Sequence, residues 1–116
     1  MKKVVKFGGS SLASAEQFKK VGDIIRADKS RRYVVPSAPG KRSSSDTKVT
    51  DMLYSCYNLA IREKKFTSLL DEIHARYNEI IDGLNLELSL DHEFDMIREI
   101  LAKKSEEIML HPGENI

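Results

Sequence analysis

The sequence predicts an α/β fold in which two parallel strands and an intervening helix are followed by a helical excursion. An apolar, strand-like segment covers residues 2–7 and leads through Gly8-Gly9 into a segment with helical spacing of apolar side chains. A second apolar segment begins at Tyr33. Strand, helix and strand within about 36 residues is the size of a right-handed βαβ unit, so the two strands are predicted to be parallel.

The first helix is predicted from its start signal and its apolar period. Ser14 followed by Gln17 is the spacing of a capping box, which satisfies free N–H groups at the start of a helix. From there the helix is predicted to continue to Asp28. Its apolar side chains recur at the i, i+3 and i+4 spacing of one helix face, namely Phe18, Val21, Ile24 and Ile25.

Three more helices are predicted in the rest of the chain. They start at Asp46 or Thr47, at Thr67 and at Asp91, and Gly83 is predicted at the C′ position that ends the third. The predicted apolar face of the second helix is Val49, Leu53, Cys56, Tyr57, Ala60 and Ile61. The predicted inward residues of the fourth are Phe94, Ile97, Ile100, Leu101 and Ile108.

Two connecting segments leave alternatives open. Leu84–Leu90 alternates strictly between apolar and polar residues, which indicates either a strand or a packed extended connector. Residues 39–48 are polar and rich in serine, which is typical of a mobile surface connection. The alternative for that segment is a lid whose Lys41, Arg42 and hydroxyl groups contact an anionic substrate.

The turn after the first strand combines the groups that bind anions. Glycines such as Gly8 and Gly9 let backbone N–H groups approach a phosphate closely, and Lys6 adds a positive charge at the end of the strand. Ser37–Gly40 follows the second strand, and the carboxyl ends of parallel strands share the sheet edge at which ligands bind. Residues 6–11 and 37–40 are therefore predicted to be neighbours. Alone, this pattern is a weak signal, because strand-to-helix turns also contain glycine for geometric reasons.

Composition excludes several classes of protein. The 116 residues carry 19 Lys and Arg against 18 Asp and Glu, and the basic pairs are scattered, which argues against a nucleic-acid-binding face. The one cysteine, Cys56, excludes an internal disulfide and fits a reducing cytosol. No apolar stretch approaches the roughly 20 residues that span a bilayer. A soluble, cytoplasmic protein without nucleic-acid or membrane partners is expected.

Other catalytic patterns are missing from the sequence. Gly8-Gly9 is not followed by the Gly-Lys-Ser/Thr of a P-loop, and no G-x-G-x-x-G is present. The histidines, at positions 74, 92 and 111, suit neither a zinc site nor a Ser-His-Asp triad, and no metal ligands are identified.

Four motifs together carry a more specific signal. Lys6-Phe7-Gly8-Gly9-Ser10-Ser11 resembles the N-terminal signature of aspartate kinases, a branch of the amino acid kinase family with a three-layer αβα fold. Val34-Val35-Pro36-Ser37-Ala38-Pro39-Gly40 is similar to the second strand and loop of that family. Val49-Thr50-Asp51-Met52-Leu53 resembles the start of its next helix, and Gly113-Glu114 its later Gly-Glu pair.

The resemblance implies ATP-dependent phosphorylation of L-aspartate to 4-phospho-L-aspartate, with Mg²⁺, in the synthesis of lysine, threonine and methionine. Lys6 would be the catalytic residue that neutralises the transferring phosphoryl group. The phosphate and ATP-binding residues would be Lys6, Gly8, Gly9 and Ser10. The aspartate-binding residues would be Ser37, Ala38, Thr50 and Glu114.

The resemblance also sets expectations about extent. Residues 1–116 are expected to be the N-terminal, aspartate- and phosphate-side part of an amino acid kinase domain. The nucleotide-binding half and the regulatory ACT domains are expected to be absent, so that the chain alone is inactive. Full-length relatives are often homo-oligomeric. Two departures are Pro36, which removes a ladder donor, and His111-Pro112, which precede the Gly-Glu pair.

Two other functions remain open from the residues alone. One is another amino acid kinase, such as an acetylglutamate kinase-like enzyme, that acts on a different acid. The other is a non-catalytic binding or interaction module that retains a phosphate-binding turn.

Overall fold

The computed structural model describes residues 1–110 and shows the predicted βαβ unit followed by three helices. Strand β1 (Lys3–Phe7) and strand β2 (Arg31–Pro36) pair in parallel, with helix α1 (Ala15–Arg26) between them in the chain. The register places Val5 opposite Val34 and Phe7 opposite Pro36. Pro36 is the last residue of its strand, so its missing N–H falls where the strand ends.

Local signals fix the start of α1 as predicted. A short 3₁₀ helix (Gly9–Leu12) follows β1, and Ser14 then caps α1 by accepting a hydrogen bond from the N–H of Gln17 at 3.3 Å. The helix ends at Arg26, two residues before the predicted end. Val21 is its buried side chain, whereas Ile24 is exposed.

The second helix, α2 (Val49–Ile61), begins later than the predicted start at Asp46 or Thr47. The reason is that the Asp46 carboxylate is engaged within the preceding loop, where it accepts from the backbone N–H of Arg42 at 2.9 Å. The N–H of Asp46 donates to the C=O of Ser43. The carboxylate and the N–H of Asp46 therefore form hydrogen bonds within a local turn and do not start the helix.

Helices α3 (Thr67–Gly83) and α4 (Asp91–Leu110) complete the described chain. Asn85, with a φ of 54°, occupies the left-handed position after α3 that was predicted for Gly83. The N–H of Asn85 donates to Asp82 and that of Leu86 to Ile81, which is the hydrogen-bond pattern of a Schellman motif. The prediction of Gly83 at C′ was therefore wrong by two residues.

The chain around α4 resolves one alternative and corrects a cap. Residues 84–90 form no strand and are a connector, but Leu86 and Leu88 are 48% and 54% exposed, so the predicted packing of this connector was wrong. Asp91, predicted as the cap, is the first helical residue. Leu90 precedes it and accepts the N–H of Phe94 at 3.0 Å, while the Ser89 hydroxyl accepts the N–H of Asp91.

The chain divides into two compact units, each with its own buried side chains. The first comprises Met1–Thr50 and Glu79–Glu87, and the second comprises Asp51–Asn78 and the chain from Leu88 onward. The buried apolar residues of the first are Leu12, Ala13, Val21, Val49, Ile80 and Ile81. Those of the second are Met52, Cys56, Ala60, Phe66, Leu70, Ile73, Phe94 and Leu101. Burial raises the pKa of the Cys56 thiol, as expected for a core residue rather than a nucleophile.

Two predicted helix faces need correction. In α2 the buried line steps through Val49, Met52, Cys56 and Ala60, so Leu53 and Tyr57 are 37% and 45% exposed. In α4, Ile100 is 62% exposed although Leu101 beside it is buried. The presence of apolar residues alone did not show which face of each helix is buried, because both helices carry more apolar residues than one face can hold. Within residues 1–110, none of the helices combines the length and apolar character needed to cross a membrane.

Gly83 is required for a close contact within the first unit. A Cβ added at Gly83 would lie 2.5 Å from the Cβ of Ala15 at the start of α1. Gly83→Ala is therefore expected to lower the free energy of unfolding by about 1–2 kcal/mol, since overpacking outweighs the better helix propensity of alanine. Urea denaturation followed by circular dichroism measures this change.

The matched control is a double variant that restores the space. Ala15→Gly combined with Gly83→Ala should recover about 1 kcal/mol relative to the sum of the two single changes. Strict additivity of the two substitutions would contradict the proposed contact.

Candidate functional site

The loops after β1 and β2 cross in direct backbone contact. The N–H of Ser37 donates to the C=O of Phe7 at 3.0 Å, which extends the strand pairing by one residue. The N–H of Gly40 donates to the C=O of Gly9 at 2.8 Å. A Cβ on Gly40 would lie 2.5 Å from the carbonyl carbon of Gly9, so only glycine fits at this crossing. Residues 6–11 and 37–40 are therefore neighbours, as the parallel strands predicted.

A cavity of about 410 Å³ opens beside this crossing, entirely within the first compact unit. Five of the predicted site residues line it, namely Gly9, Ser10, Ser37, Ala38 and Thr50. The other lining residues are Pro39, Gly40, Lys41 and Lys48. The N–H of Val49 donates to the C=O of Pro39 at 3.0 Å, which anchors the first turn of α2, and with it Thr50, to the second loop.

Lys6 and Gly8 do not line this cavity. Lys6 is an exposed residue of β1 and lies opposite Val35 in the register. Gly8 has ordinary extended backbone angles, φ −76° and ψ 172°, and a Cβ added there would meet no atom within 4 Å. Neither backbone strain nor packing therefore requires glycine at position 8, in contrast to Gly40.

The remaining predicted site residue, Glu114, lies outside the described residues, as do His111, Pro112 and Gly113. Its role in binding aspartate stays a prediction.

The loop between β2 and α2 is closed by an ion pair. The Arg42 side chain donates to Asp46 through Nε at 2.6 Å and through a terminal nitrogen at 3.1 Å, and its other terminal nitrogen donates to Glu79 at 3.3 Å. Hydrogen bonding to Arg42 holds the pKa of the Asp46 carboxyl well below its usual range, and Asp46 in turn raises the pKa of Arg42. Arg42 is not among the described residues that line the cavity, so its contact with a substrate, as in the lid interpretation, stays a prediction.

Lys48 is the lining residue that the sequence interpretation missed. Lys41 had been considered as part of a lid, but Lys48 was treated as loop. The available signal was its position two residues before Thr50, at the start of the helix that bears a predicted site residue.

The chemistry of the lining favours an anion. Among the described residues, its polar side chains are three hydroxyl groups, from Ser10, Ser37 and Thr50, and two ammonium groups, from Lys41 and Lys48, with no carboxylate. Among residues 1–110, no group of three or more His, Cys, Asp or Glu side chains is placed to hold a metal ion. Mg²⁺ favours carboxylate oxygens, so the lining fits an oxyanion and does not fit a divalent cation held by protein side chains.

Comparison with known proteins identifies the family. The amino acid kinase family profile matches residues 1–110. Aspartokinase 3 of Bacillus subtilis is 46% identical over 88 residues, which cover 76% of this chain and 19% of that protein. The aspartokinase of Chlamydia pneumoniae is 38% identical over 85 residues, which cover 72% of this chain and 17% of that protein.

A solved structure agrees with these sequence relatives. The aspartate kinase of Clostridium acetobutylicum superposes with a TM-score of 0.83 at 41% identity, over 89% of this chain and 24% of that one. The chain thus spans about a fifth of the length of the aspartokinases it matches. It belongs to the amino acid kinase family and, within that family, resembles the N-terminal region of the aspartate kinases.

Proposed function

We propose that residues 1–116 form the aspartate- and phosphoryl-binding part of a cytoplasmic aspartate kinase. In the proposed reaction a side-chain carboxylate oxygen of L-aspartate attacks the γ-phosphorus of ATP. The new O–P bond forms while the bond to the bridging oxygen breaks, and ADP leaves with that electron pair. The product, 4-phospho-L-aspartate, would enter the synthesis of lysine, threonine and methionine.

The observation that carries the proposal is the cavity at the crossing of the two loops. It combines donors from three separate segments, represented by Ser10, Ser37 and Thr50, with a lining that, over residues 1–110, has positive charge and no carboxylate. A carboxylate is already a nucleophile, so this reaction needs positioning and charge stabilisation more than a strong base. The hydroxyl and ammonium donors of the cavity would supply both positioning and charge stabilisation.

The proposed roles of the individual residues follow the resemblance to aspartate kinases. Ser10 and the backbone of Gly8 and Gly9 would donate to phosphate oxygens, while Ser37, Ala38 and Thr50 would position the aspartate. Glu114 would hold the α-ammonium group. Lys6, at the end of β1, would approach the transferring phosphoryl group from outside the described cavity.

ATP would bring Mg²⁺, as is general for kinases, and bound Mg²⁺ neutralises charge on the phosphates. The described residues of the cavity provide no carboxylate to hold that ion. The nucleotide would be held by protein outside this chain. On this proposal the isolated chain does not turn over, and the full-length protein would, like many members of the family, be homo-oligomeric.

A chimaera tests the proposal directly. The matching segment of Bacillus subtilis aspartokinase 3 would be replaced by this chain, and aspartyl hydroxamate formation would be measured with ATP. We expect aspartate-dependent turnover by the chimaera and none by the isolated chain, because only the chimaera has both halves of the site.

The controls separate the competing functions. A folded chimaera that phosphorylates N-acetylglutamate and not aspartate would favour the other amino acid kinase. A folded chimaera with no turnover on either acid would favour a non-catalytic binding module. The aspartokinase names of the relatives are the reason for testing aspartate first.

A further inference from the structure

Two lysines in the cavity have no role in the proposed transfer so far. Lys41 and Lys48 are exposed, and both line the cavity beside the hydroxyls of Ser10, Ser37 and Thr50. Neither lysine forms an ion pair with any carboxylate in the part of the chain that the structure describes. An unpaired charge on a protein surface is ordinary, but two in one concavity whose described lining has no acid create a local positive field.

The loop itself explains why this charge is not neutralised. Asp46 lies between the two lysines in sequence, yet both of its oxygens are held by Arg42, at 2.6 and 3.1 Å. Glu79, also within the first unit, accepts from the same guanidinium at 3.3 Å. Arg42 thus forms hydrogen bonds with the carboxylates of both Asp46 and Glu79.

The same ion pair shapes the loop. The backbone N–H of Arg42 donates to Asp46 at 2.9 Å, and its side chain donates to the same carboxylate, so residues 42–46 close into a ring. Lys41 precedes this ring and Lys48 follows it by two residues. Closure therefore returns the two ends of the loop to the same cavity, although seven positions separate the lysines.

We propose that Lys41 and Lys48 together bind an oxyanion, either a carboxylate or a phosphate group, that the hydroxyl side of the cavity receives. The identity of that ligand as aspartate or as the phosphate chain of ATP rests on the proposed function. The anion site itself rests only on the cavity and its charge. The two lysines are binding and positioning residues, and the transferring phosphoryl group remains assigned to Lys6.

Titration of the ¹⁵N-labelled 116-residue chain tests the site. The probes are L-aspartate and sodium tripolyphosphate, followed through the amide signals of Gly9, Ser10 and Ala38. We expect saturable binding of at least one probe. The dissociation constant should rise about fivefold in Lys41→Gln or Lys48→Gln and more than tenfold in the double variant. Added sodium chloride should weaken the interaction, since exposed charges are screened.

Matched variants distinguish the loss of the lysine charge from a general effect of substitution on the protein. Lys20→Gln removes an exposed lysine of α1 that does not line the cavity and should leave binding unchanged. Lys41→Arg and Lys48→Arg should retain most of the anion binding. The probe whose affinity falls identifies the source of the oxyanion.

Three outcomes would overturn the inference: no saturable binding of either probe, equal affinity in the double variant, or an equal loss in Lys20→Gln. The proposed function fails separately. An inactive chimaera with intact lysine-dependent anion binding refutes the kinase proposal and leaves the anion site standing. An active chimaera whose KM values are unchanged by substitution of both lysines supports the kinase proposal and contradicts the anion site.

Discussion

In the active chimaera, Lys6→Met is expected to lower kcat for aspartate phosphorylation by on the order of 10²–10³-fold, the usual effect of removing one preorganised donor to developing charge. The phosphoryl group spreads negative charge over its equatorial oxygens during transfer, so an ammonium group beside it acts mainly in the transition state. The KM values for ATP and aspartate should change much less than kcat. Steady-state hydroxamate kinetics measure all three quantities.

The controls for Lys6 address its exposed position on β1. Lys20→Met removes a comparable surface lysine and should leave kcat unchanged. Lys6→Arg should recover part of the rate, because guanidinium keeps the charge but not the compact geometry of ammonium. A kcat within threefold of the unsubstituted chimaera in Lys6→Met would mean that Lys6 is only a solvated strand residue. The positive charge of the site would then have to come from Lys41 and Lys48.

Gly40→Ala is expected to have the largest effect on stability, a loss of about 3 kcal/mol in the free energy of unfolding. The added Cβ would lie 2.5 Å from the carbonyl carbon of Gly9 and 2.8 Å from the nitrogen of Ser10. Both are backbone atoms, and the 2.8 Å hydrogen bond from Gly40 to Gly9 holds them in place. Urea denaturation measures the loss, and anion titration should show binding weakened in parallel.

Gly8→Ala is the matched control for Gly40→Ala. A Cβ at Gly8 meets nothing within 4 Å, and its φ of −76° suits alanine. This variant should equal the original chain in stability or exceed it by up to about 1 kcal/mol, because alanine restricts the unfolded state. Equal stability of Gly40→Ala and Gly8→Ala would contradict the crossing described here. In the chimaera, Gly8→Ala should still reduce turnover if a phosphate approaches that backbone.

The parts of the fold that follow from local signals were predictable. Ser14 and Gln17 marked the start of α1, and the distance between the two apolar segments required a crossover and hence parallel strands. Because parallel strands end at one edge, residues 9–10 and 37–38 could be placed together before any coordinates were known. The order of the motifs that resemble aspartate kinases then added Thr50 to the predicted site.

The parts of the structure that were not predicted depend on specific contacts that hydrophobic periodicity and capping patterns do not reveal. The start of α2 was misplaced because Arg42 takes the Asp46 carboxylate, and nothing in the local pattern reveals that ion pair. Gly83 looked like a helix terminator, but its small size serves the contact with Ala15, and Asn85 ends the helix instead. Lys48 lines the cavity next to a hydrogen bond from the N–H of Val49 to the C=O of Pro39, which joins the two ends of the loop.

The composition of the cavity lining has a consequence for pH. As far as residues 1–110 define it, the lining contains no histidine, the side chain whose charge ordinarily changes between pH 5 and 8. The acid beside it, Asp46, keeps its charge throughout that interval because Arg42 lowers its pKa. A phosphate monoester, in contrast, loses its second proton near a pKa of about 6. A change of affinity for such a ligand across this interval would therefore report the ionisation of the ligand rather than that of a histidine in the described lining.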